Sequence, residues 1–278
     1  MMKKKEPILY YPKMSAAALC PTHPVPAFDE NGDSKEVHIA GELPLTIRVD
    51  DHEIVTLMTL GTYPELLALG YLRNQRLLTD IETVKSVKVN WDTETVYIET
   101  VDGDTGDTLE GKLTKRTVTT GCGQGTVFSC TLDGLYATQL TPITLKQSTI
   151  YNLMKTLSKF NDIYRAAGAV HGCALCSNDE VEIFVEDVGR HNAADTISGK
   201  MWLDRISGQD KIFYSTGRLT SEIVMKAALM EISVIISRSG ITHMGLELAQ
   251  QLGMTMVARV KGRKFLVFNG HAHFVYDV

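Results

Sequence analysis

Short apolar stretches alternate with helix-forming stretches through the C-terminal half of this 278-residue chain. The apolar stretches have the length of strands and lie at residues 169–175, 181–185, 211–215, 233–237, 254–260 and 265–268. Helical patterns fill the intervals at about 192–200, 220–231 and 242–252. Because strands that alternate with helices build βα units, this order predicts an α/β fold around a largely parallel or mixed sheet.

The N-terminal half carries a different and smaller pattern. Prolines at positions 7, 12, 21, 24 and 26 predict an irregular segment over residues 1–40. Strands predicted at 45–49, 53–60, 86–91 and 95–101, with one helix over about 65–78, indicate a small α+β domain at residues 41–145. A second helix, over about 149–161, opens the larger α/β domain, which we place at residues 146–278.

The composition limits the partners of the chain. A formal net charge of −5 and a sequence pI near 5.9 argue against general binding of nucleic acid or of a membrane surface. No apolar run approaches the roughly 20 residues of a membrane span. The five cysteines are odd in number and widely spread, which is not typical of a disulfide framework. We therefore expect a cytoplasmic protein with reduced thiols.

One cysteine lies in a glycine-rich stretch. A β-branched run at residues 116–120 leads into Gly121, Cys122, Gly123, Gln124 and Gly125. Glycine frees the backbone torsion φ, so a thiol at this place is expected to be mobile and open to attack. Free cysteines are also common as small packing residues, so the stretch alone leaves both a reactive and an inert Cys122 open.

Cys173 and Cys176 have the spacing of a metal-binding or redox pair. No second pair with suitable spacing accompanies them, which argues against a four-cysteine zinc site. A zinc deaminase would need glutamate at the second position after His171, where Cys173 stands. On a strand, residues three apart face opposite sides of the sheet, which opposes chelation. We expect packing cysteines and no metal held directly by the protein.

Two loops in the α/β half share one design. Each follows a predicted strand, precedes a predicted helix, and contains hydroxyl groups, a glycine and an arginine. Because free N–H groups at a helix N-terminus and an arginine fork both favour an anion, the loops predict a phosphate-bearing ligand. The candidate ligands are Ser215, Arg218, Ser237 and Arg238. A basic turn follows at Arg259, Val260, Lys261, Gly262, Arg263 and Lys264, which alone is typical of a solvated hairpin. Because the carboxyl ends of neighbouring parallel strands share one edge of a sheet, we expect Arg218, Arg238 and the turn at 261–264 to converge on one pocket.

Ionisable side chains are also dense after the strand at 181–185. Glu186, Asp187, Arg190 and His191 would form either a structural ion-pair cluster or an acid–base site, since histidine titrates near neutral pH. We favour the structural interpretation, in which the two carboxylates hold Arg190 and His191 in place.

These motifs together resemble the formate dehydrogenase accessory sulfurtransferase family, FdhD. The shared motifs are the cysteine stretch at 120–123, the segment 168–171 that ends in His171, the Glu-Asp-Val-Gly-Arg-His-Asn run at 186–192, and the loops 215–218 and 237–239. The resemblance covers about residues 40–278. It implies a C-terminal three-layer domain similar to the cytidine deaminase fold, beside a smaller N-terminal α+β portion.

The resemblance also implies a function. Members of the family are thought to carry persulfide sulfur from a cysteine desulfurase to the molybdenum or tungsten bis-molybdopterin guanine dinucleotide cofactor of formate dehydrogenase. Cys122 matches the persulfide cysteine, and residues 259–264 match the cofactor-binding stretch. The resemblance further implies a homodimer, and it implies that guanosine diphosphate (GDP) binds as a fragment of the cofactor.

Two positions depart from the family pattern. Gly125 stands where many members have a second loop cysteine, which leaves open a non-catalytic chaperone that binds the cofactor without sulfur chemistry at Cys122. Arg259 stands in place of an aromatic residue, which removes a stacking surface and adds positive charge. The thiolate of a sulfur carrier needs a nearby cation, and Arg116 and His191 are the candidates.

Overall fold

The structure is a computed structural model that describes residues 10–101, 135 and 140–278. The first strands in these ranges are β1 (Lys13–Met14), β2 (Thr22–Phe28), β3 (Ser34–Ala40), β4 (Leu43–Val49), β5 (His52–Thr59), β6 (Val84–Asn90) and β7 (Thr95–Thr100). The later strands are β8 (Leu145–Lys146), β9 (His171–Ser177), β10 (Glu180–Asp187), β11 (Ile212–Ser215), β12 (Val234–Ser237), β13 (Thr255–Lys261), β14 (Lys264–Asn269) and β15 (Phe274–Val275).

The helices alternate with these strands, so the fold is α/β as predicted. They are α1 (Pro64–Asn74), α2 (Gln147–Leu157), α3 (Asp162–Ala167), α4 (Arg190–Leu203), α5 (Ser221–Leu229) and α6 (His243–Gln251). The predicted strands and long helices of both halves are present with bounds shifted by a few residues. Such shifts are expected, because the ends of elements depend on capping and tertiary contacts.

The first sheet belongs to the N-terminal half and has the strand order β1-β6-β7-β4-β5. Along β4, Leu45, Ile47 and Val49 are fully buried at every second position, so one face of the sheet is apolar. Helix α1 covers that face with Leu67, Leu72 and its neighbours. This is the small α+β unit predicted for this half, and its exact boundary at residue 145 stays a prediction.

Residues 22–40 form an antiparallel hairpin of β2 and β3, so the prediction of an irregular segment is wrong there. The two strands pair from Thr22 with Ala40 to Phe28 with Ser34. The turn is held by Asp29 Oδ1, which accepts from two backbone amides, and by Gly32 at φ +82°. Prolines usually break strands, but both strands of a two-stranded ribbon are edges, where proline is tolerated.

The second sheet forms the centre of the C-terminal half. Its strand order is β10-β9-β11-β12-β13-β14, and β11, β12 and β13 run parallel. The other three strands pair antiparallel with their neighbours, which gives the predicted mixed sheet. Strands β11 and β12 are short and continuously buried, as expected for strands covered on both faces.

Helices cover both faces of the second sheet, which gives three layers. Helices α4, α5 and α6 pack on one face in a cluster that includes Phe213, Ile223 and Leu248. Helix α2 packs on the other face with Ile150 and Leu153, beside the small β8–β15 pair. The likeness of these layers to the cytidine deaminase fold stays a prediction.

The Cys173 and Cys176 side chains lie on opposite faces of the second sheet. Both are fully buried, Cys173 in the cluster beneath α4 to α6 and Cys176 in the cluster beneath α2. Burial raises the pKa of each thiol to about 12, so both are protonated at neutral pH. The prediction that this pair packs on a strand and cannot chelate one ion is confirmed by this geometry.

Two glycines let helices α1 and α4 cross with their backbones in contact. A Cβ atom on Gly70 would lie 1.7 Å from the carbonyl oxygen of Asp195, and one on Gly199 would lie 2.0 Å from that of Leu66. A buried polar network stands beside the crossing, where Asn74 Nδ2 donates to Asp195 Oδ1 over 2.7 Å and Lys226 Nζ lies 2.5 Å from the same oxygen. The crossing therefore fixes the first sheet against the second.

We predict that Gly70→Ala destabilises the protein although alanine favours helix. The new methyl group would overlap the α4 backbone, and overpacking of this kind costs about 1–3 kcal/mol. Gly240→Ala is the control, because no heavy atom lies within 4 Å of its ideal Cβ position. Urea unfolding of the three proteins measures the difference, and equal stability of Gly70→Ala and the wild type would contradict the backbone contact.

Candidate functional site

The predicted site residues come together at one edge of the second sheet. The strands β11, β12 and β13 are parallel, so Ser215, Ser237 and Lys261 end at the same edge. The antiparallel partners bring His171 and Asp187 to that edge, because Ser215 pairs with Cys173 and Asp187 pairs with His171. The carboxyl edge of a sheet is where open α/β proteins bind ligands.

The two serine residues support the loops from below. Ser215 and Ser237 are fully buried, and each Oγ accepts a backbone N–H of its own loop, from Gly217 and Ser239 respectively. Ser237 Oγ also donates to the carbonyl of Gly217 over 2.6 Å, which joins the two loops. We predicted that these hydroxyls contact the ligand, and this prediction is wrong. Both side chains are fully buried and hydrogen-bond the backbone of the loops, so they support the loops from beneath.

Several backbone amides of the two loops are also engaged within the protein. Thr216 N donates to the carbonyl of Gly172, Arg238 N to that of Ser215, and Leu219 N to that of Gly240. An amide N–H that already donates to a carbonyl is not available to bind an anion. These three loop amides are therefore not available to an anion, and the basic side chains at this edge are expected to contribute much of its recognition.

Two adjoining cavities open at this edge. The larger, about 540 Å³, is termed the aromatic cavity and is bounded by Tyr151, Tyr164 and Tyr214 and by Lys155, Arg165, Arg238, Lys261 and Arg263. The smaller, about 490 Å³, is termed the polar cavity and is bounded by His171, Thr216 and Ser239. Of the described residues, five line both cavities, namely Asn161, Tyr164, Arg238, Val260 and Lys261.

The charge of both cavities is positive. Among the described residues that line them, the basic side chains have no carboxylate beside them in the lining. Arg165 is partly neutralised by an ion pair with Asp162 at the rim. Since the whole chain has a net charge of −5, this concentration of cations marks a local site for an anionic ligand.

His171 contributes a neutral, half-buried imidazole to the polar cavity. Burial is the main cause that lowers the pKa of the ring, and the charges of Arg190 and Arg218 lower this pKa further. Its Nδ1 lies 3.4 Å from Thr216 Oγ1, whose oxygen accepts from the Gly172 amide. The ring is therefore held on the sheet edge and surrounded by positive charge.

The carboxylates of the 186–192 run are structural. Glu186 accepts from the Ile163 and Tyr164 amides, both at 2.9 Å, and so caps helix α3. Asp187 reaches the first sheet, where it accepts from Thr59 Oγ1 over 2.6 Å and from the Leu60 amide. These contacts are those of structural carboxylates, but they brace α3 and the first sheet, whereas the prediction had them hold Arg190 and His191. The roles of the two carboxylates in the site stay a prediction.

Arg190 and His191 are buried at the start of α4. A Cβ atom on Gly217 would lie 2.5 Å from Arg190 Cδ, so this glycine makes room for the arginine beneath the loop. His191 Nε2 lies 3.3 Å from Glu222 Oε2 on α5, and burial lowers the pKa of the imidazole. The buried ring is neutral, so His191 is a poor choice for the cation that the Cys122 thiolate needs.

Three predicted basic residues stand outside the two cavities. Arg218, Arg259 and Lys264 are exposed and are not among the described lining residues. Arg218 still acts on this edge, since its charge lowers the pKa of His171. The expectation of one pocket for both loops and the turn therefore holds for Arg238, Lys261 and Arg263, and not for Arg218.

The glycine-rich cysteine stretch lies outside the described residues. That applies to Gly121, Cys122, Gly123 and Gly125, and to Arg116, the other candidate cation. Their assignment rests on the sequence alone and stays a prediction.

The comparisons with known proteins agree with the motifs. The model of the FdhD/NarQ family matches residues 40–275. The chain belongs to this family. The sulfur carrier protein FdhD of Bacillus pumilus (strain SAFR-032) is 31% identical over 238 residues, which are 85% of this chain and 90% of that protein. The protein of the same name from Geobacillus kaustophilus (strain HTA426) is 31% identical over 242 residues, 87% of this chain and 91% of that one.

A solved structure of the family has the same fold. It is the crystal structure of a formate dehydrogenase accessory protein from Desulfotalea psychrophila, with a TM-score of 0.72 and 25% sequence identity. The alignment covers 91% of this chain and 98% of that one. Within residues 10–101 and 140–278 of this FdhD/NarQ chain, no helix has both the length and the apolar character to cross a membrane.

Sequence reasoning missed the part of this FdhD/NarQ site that comes from α2 and α3. Tyr151, Lys155 and Tyr164 line the aromatic cavity although no motif contains them. The only signal was a set of aromatic and basic residues beside the apolar positions of a predicted helix. That signal does not show which end of the sheet the helix covers.

We predict a specific loss of stability at acidic pH from His191. Its pKa is lowered in the folded protein, so below about pH 6.5 the unfolded chain binds the extra proton and is favoured. His191 therefore does not reduce the free energy of unfolding above that pH, and it reduces this free energy progressively as the pH falls below it. Between pH 7.5 and 5.5 the wild type should lose about 1.4 kcal/mol more than His191→Gln.

Urea unfolding of both proteins at the two pH values measures this difference. All other titrating groups are shared by the two proteins, so the difference between their losses of stability isolates the contribution of His191. An equal loss in both would mean that folding does not lower the pKa of His191, and a smaller loss in the wild type would mean that Glu222 keeps the imidazole protonated in the folded protein.

Proposed function

We propose that this protein is a sulfur carrier that serves formate dehydrogenase. In this proposal it takes persulfide sulfur from a cysteine desulfurase and passes it to the molybdenum or tungsten bis-molybdopterin guanine dinucleotide cofactor of that enzyme. The observation that carries the proposal is the pair of cation-lined cavities at the sheet edge, since the guanine dinucleotide arms of such a cofactor bear diphosphates. The names of the FdhD relatives support the same role.

The described residues would bind and orient the cofactor. Arg238 and Lys261 line both cavities, so either cation can meet a diphosphate that lies across the junction. Tyr214 is buried beneath Arg238, with its hydroxyl against the arginine side chain and its pKa raised to about 12 by burial. The phenol is therefore protonated and holds the guanidinium at the junction.

The sulfur step would take place at Cys122. Its thiolate attacks the outer sulfur of the desulfurase persulfide, the new S–S bond forms as the old one breaks, and the donor cysteine leaves as a thiolate. This loading step needs no external oxidant or reductant, because one S–S bond replaces another. A single cysteine suffices for this exchange, so Gly125 in place of a second cysteine does not block it.

A cofactor-binding chaperone is the alternative. The aromatic and polar cavities are built without any residue of the 121–125 stretch among their described lining, so they would bind the cofactor even if Cys122 were inert. Both functions use the same cavities, and only sulfur on Cys122 separates them.

For either function we also propose a homodimer as the working form, which analytical ultracentrifugation would test.

We predict that Cys122 acquires sulfur from a cysteine desulfurase. After incubation with desulfurase and cysteine, intact-mass spectrometry should show the addition of one sulfur atom to the wild type and none to Cys122→Ser. Cys173→Ser is a matched control that should keep the adduct, because that thiol is buried and protonated. A Cys122→Ser protein that fully supports formate dehydrogenase activity would instead favour the chaperone.

We predict that Arg238 is the principal phosphate ligand of the site. Arg238→Ala should weaken GDP binding by about 1.5–3 kcal/mol, the range for hydrogen bonds to a charged group. Arg218→Ala should cost less, because Arg218 lies outside both cavities. Isothermal titration calorimetry measures the affinities, which should fall as salt is added.

Arg205→Ala is the control, since Arg205 forms an ion pair with Glu82 away from the sheet edge. Equal losses in Arg205→Ala and Arg238→Ala would remove Arg238 from the site. Absence of GDP binding by the wild type would contradict the proposed function as a whole.

A further inference from the structure

The turn between β13 and β14 places an arginine on an aromatic ring. Gly262, at φ +58°, forms the turn, and Arg263 follows it with Cζ 5.0 Å above the centroid of the Tyr151 ring of α2. Both residues line the aromatic cavity. This cation–π pair therefore joins the sheet edge to the helix layer across one wall of that cavity.

The Tyr151 ring is fixed before any ligand arrives. Its hydroxyl donates to the Arg263 carbonyl over 3.2 Å and accepts from Gln147 Nε2 over 2.6 Å. The Phe265 ring lies 6.2 Å away at a tilt of 58° and supports it from the sheet. Because the ring is held on several sides, it holds the guanidinium in turn, so Arg263 loses little freedom on binding.

The two cavities differ in the chemistry that they offer. The aromatic cavity has tyrosines, the apolar side chains of Met154 and Leu157, and the Arg263 plane. The polar cavity has an imidazole and hydroxyl-bearing residues. Arg238 and Lys261 stand between the two. A ligand with a flat base and a diphosphate fits this division, with the base in the aromatic cavity and the phosphates at the junction and in the polar cavity.

We propose that Arg263, held on Tyr151, is the stacking platform for the base of the nucleotide, and that Tyr151 is its positioning residue. Nucleobases stack on guanidinium planes as well as on aromatic rings. The platform supplies the stacking surface that an aromatic residue at position 259 would otherwise offer, and Arg259 itself is exposed outside both cavities. This inference rests on the proposed function and assigns the base end of the same site.

A charge-conserving substitution separates stacking from phosphate binding. Lysine keeps the positive charge of Arg263 but lacks the flat surface. Calorimetric titration of the full chain uses two probes, GDP and inorganic pyrophosphate. Arg263→Lys should weaken GDP binding roughly 5- to 100-fold, the range for loss of one base stack, and should leave pyrophosphate binding within about twofold. Arg205→Lys, on an arginine away from the cavities, should change neither affinity.

A second pair of variants tests Tyr151. Tyr151→Leu removes the ring under the guanidinium, and it should weaken GDP binding with little effect on pyrophosphate. Tyr151→Phe keeps the ring and should bind GDP close to the wild type, since the hydroxyl only assists in fixing the ring. Circular dichroism confirms that each variant is folded before titration.

The outcomes distinguish this inference from the function on which it rests. Unchanged GDP affinity in Arg263→Lys overturns the platform, and so does an equal loss for GDP and pyrophosphate, which would make Arg263 a phosphate ligand. In both cases the wild type still binds GDP and the proposed function stands. A wild type that binds neither probe overturns both.

Discussion

The close crossing of α1 and α4 is the contact on which the rest of the structure depends. Gly70 and Gly199 remove the side chains at the crossing, and the backbones of the two helices touch there. Helix α4 begins at Arg190, at the sheet edge that carries the site, and Asp187 just before it is bonded to Thr59 of the first sheet. The first sheet is therefore fixed at two places, one within α4 and one just before its start. These two contacts hold the site edge rigidly against the first sheet.

Electrostatics at the edge follow from this packing. The buried hydroxyls of Ser215 and Ser237 and the loop carbonyls accept hydrogen bonds from several amides of the two loops, which leaves fewer backbone donors for an anion. The charge that remains for a ligand is on long side chains, chiefly Arg238, Lys261 and Arg263. Such contacts are partly exposed, so recognition is expected to be adaptable and sensitive to salt.

The sequence predicted the layout of the C-terminal half well, because its short apolar stretches alternate regularly with helical patterns and its loops carry glycine. It predicted correctly that Arg238 and the 261–263 turn meet at one edge, since parallel strands end together. It could not show that Ser215 and Ser237 point beneath the loops, because exposure depends on tertiary packing. The hairpin of residues 22–40 was missed because proline in a ribbon edge has no distinct signal, and Tyr151 was missed because helix orientation is not encoded locally.

The central claim is that an anionic nucleotide is bound at this edge by side chains of the two cavities. A crystal structure of the protein with GDP tests it most directly. The account predicts the diphosphate within hydrogen-bond distance of Arg238 and Lys261, with the base beside Tyr151 in the aromatic cavity. Ordered GDP anywhere else, or a diphosphate held by the amides at the start of α5 or α6 without these side chains, would contradict the account.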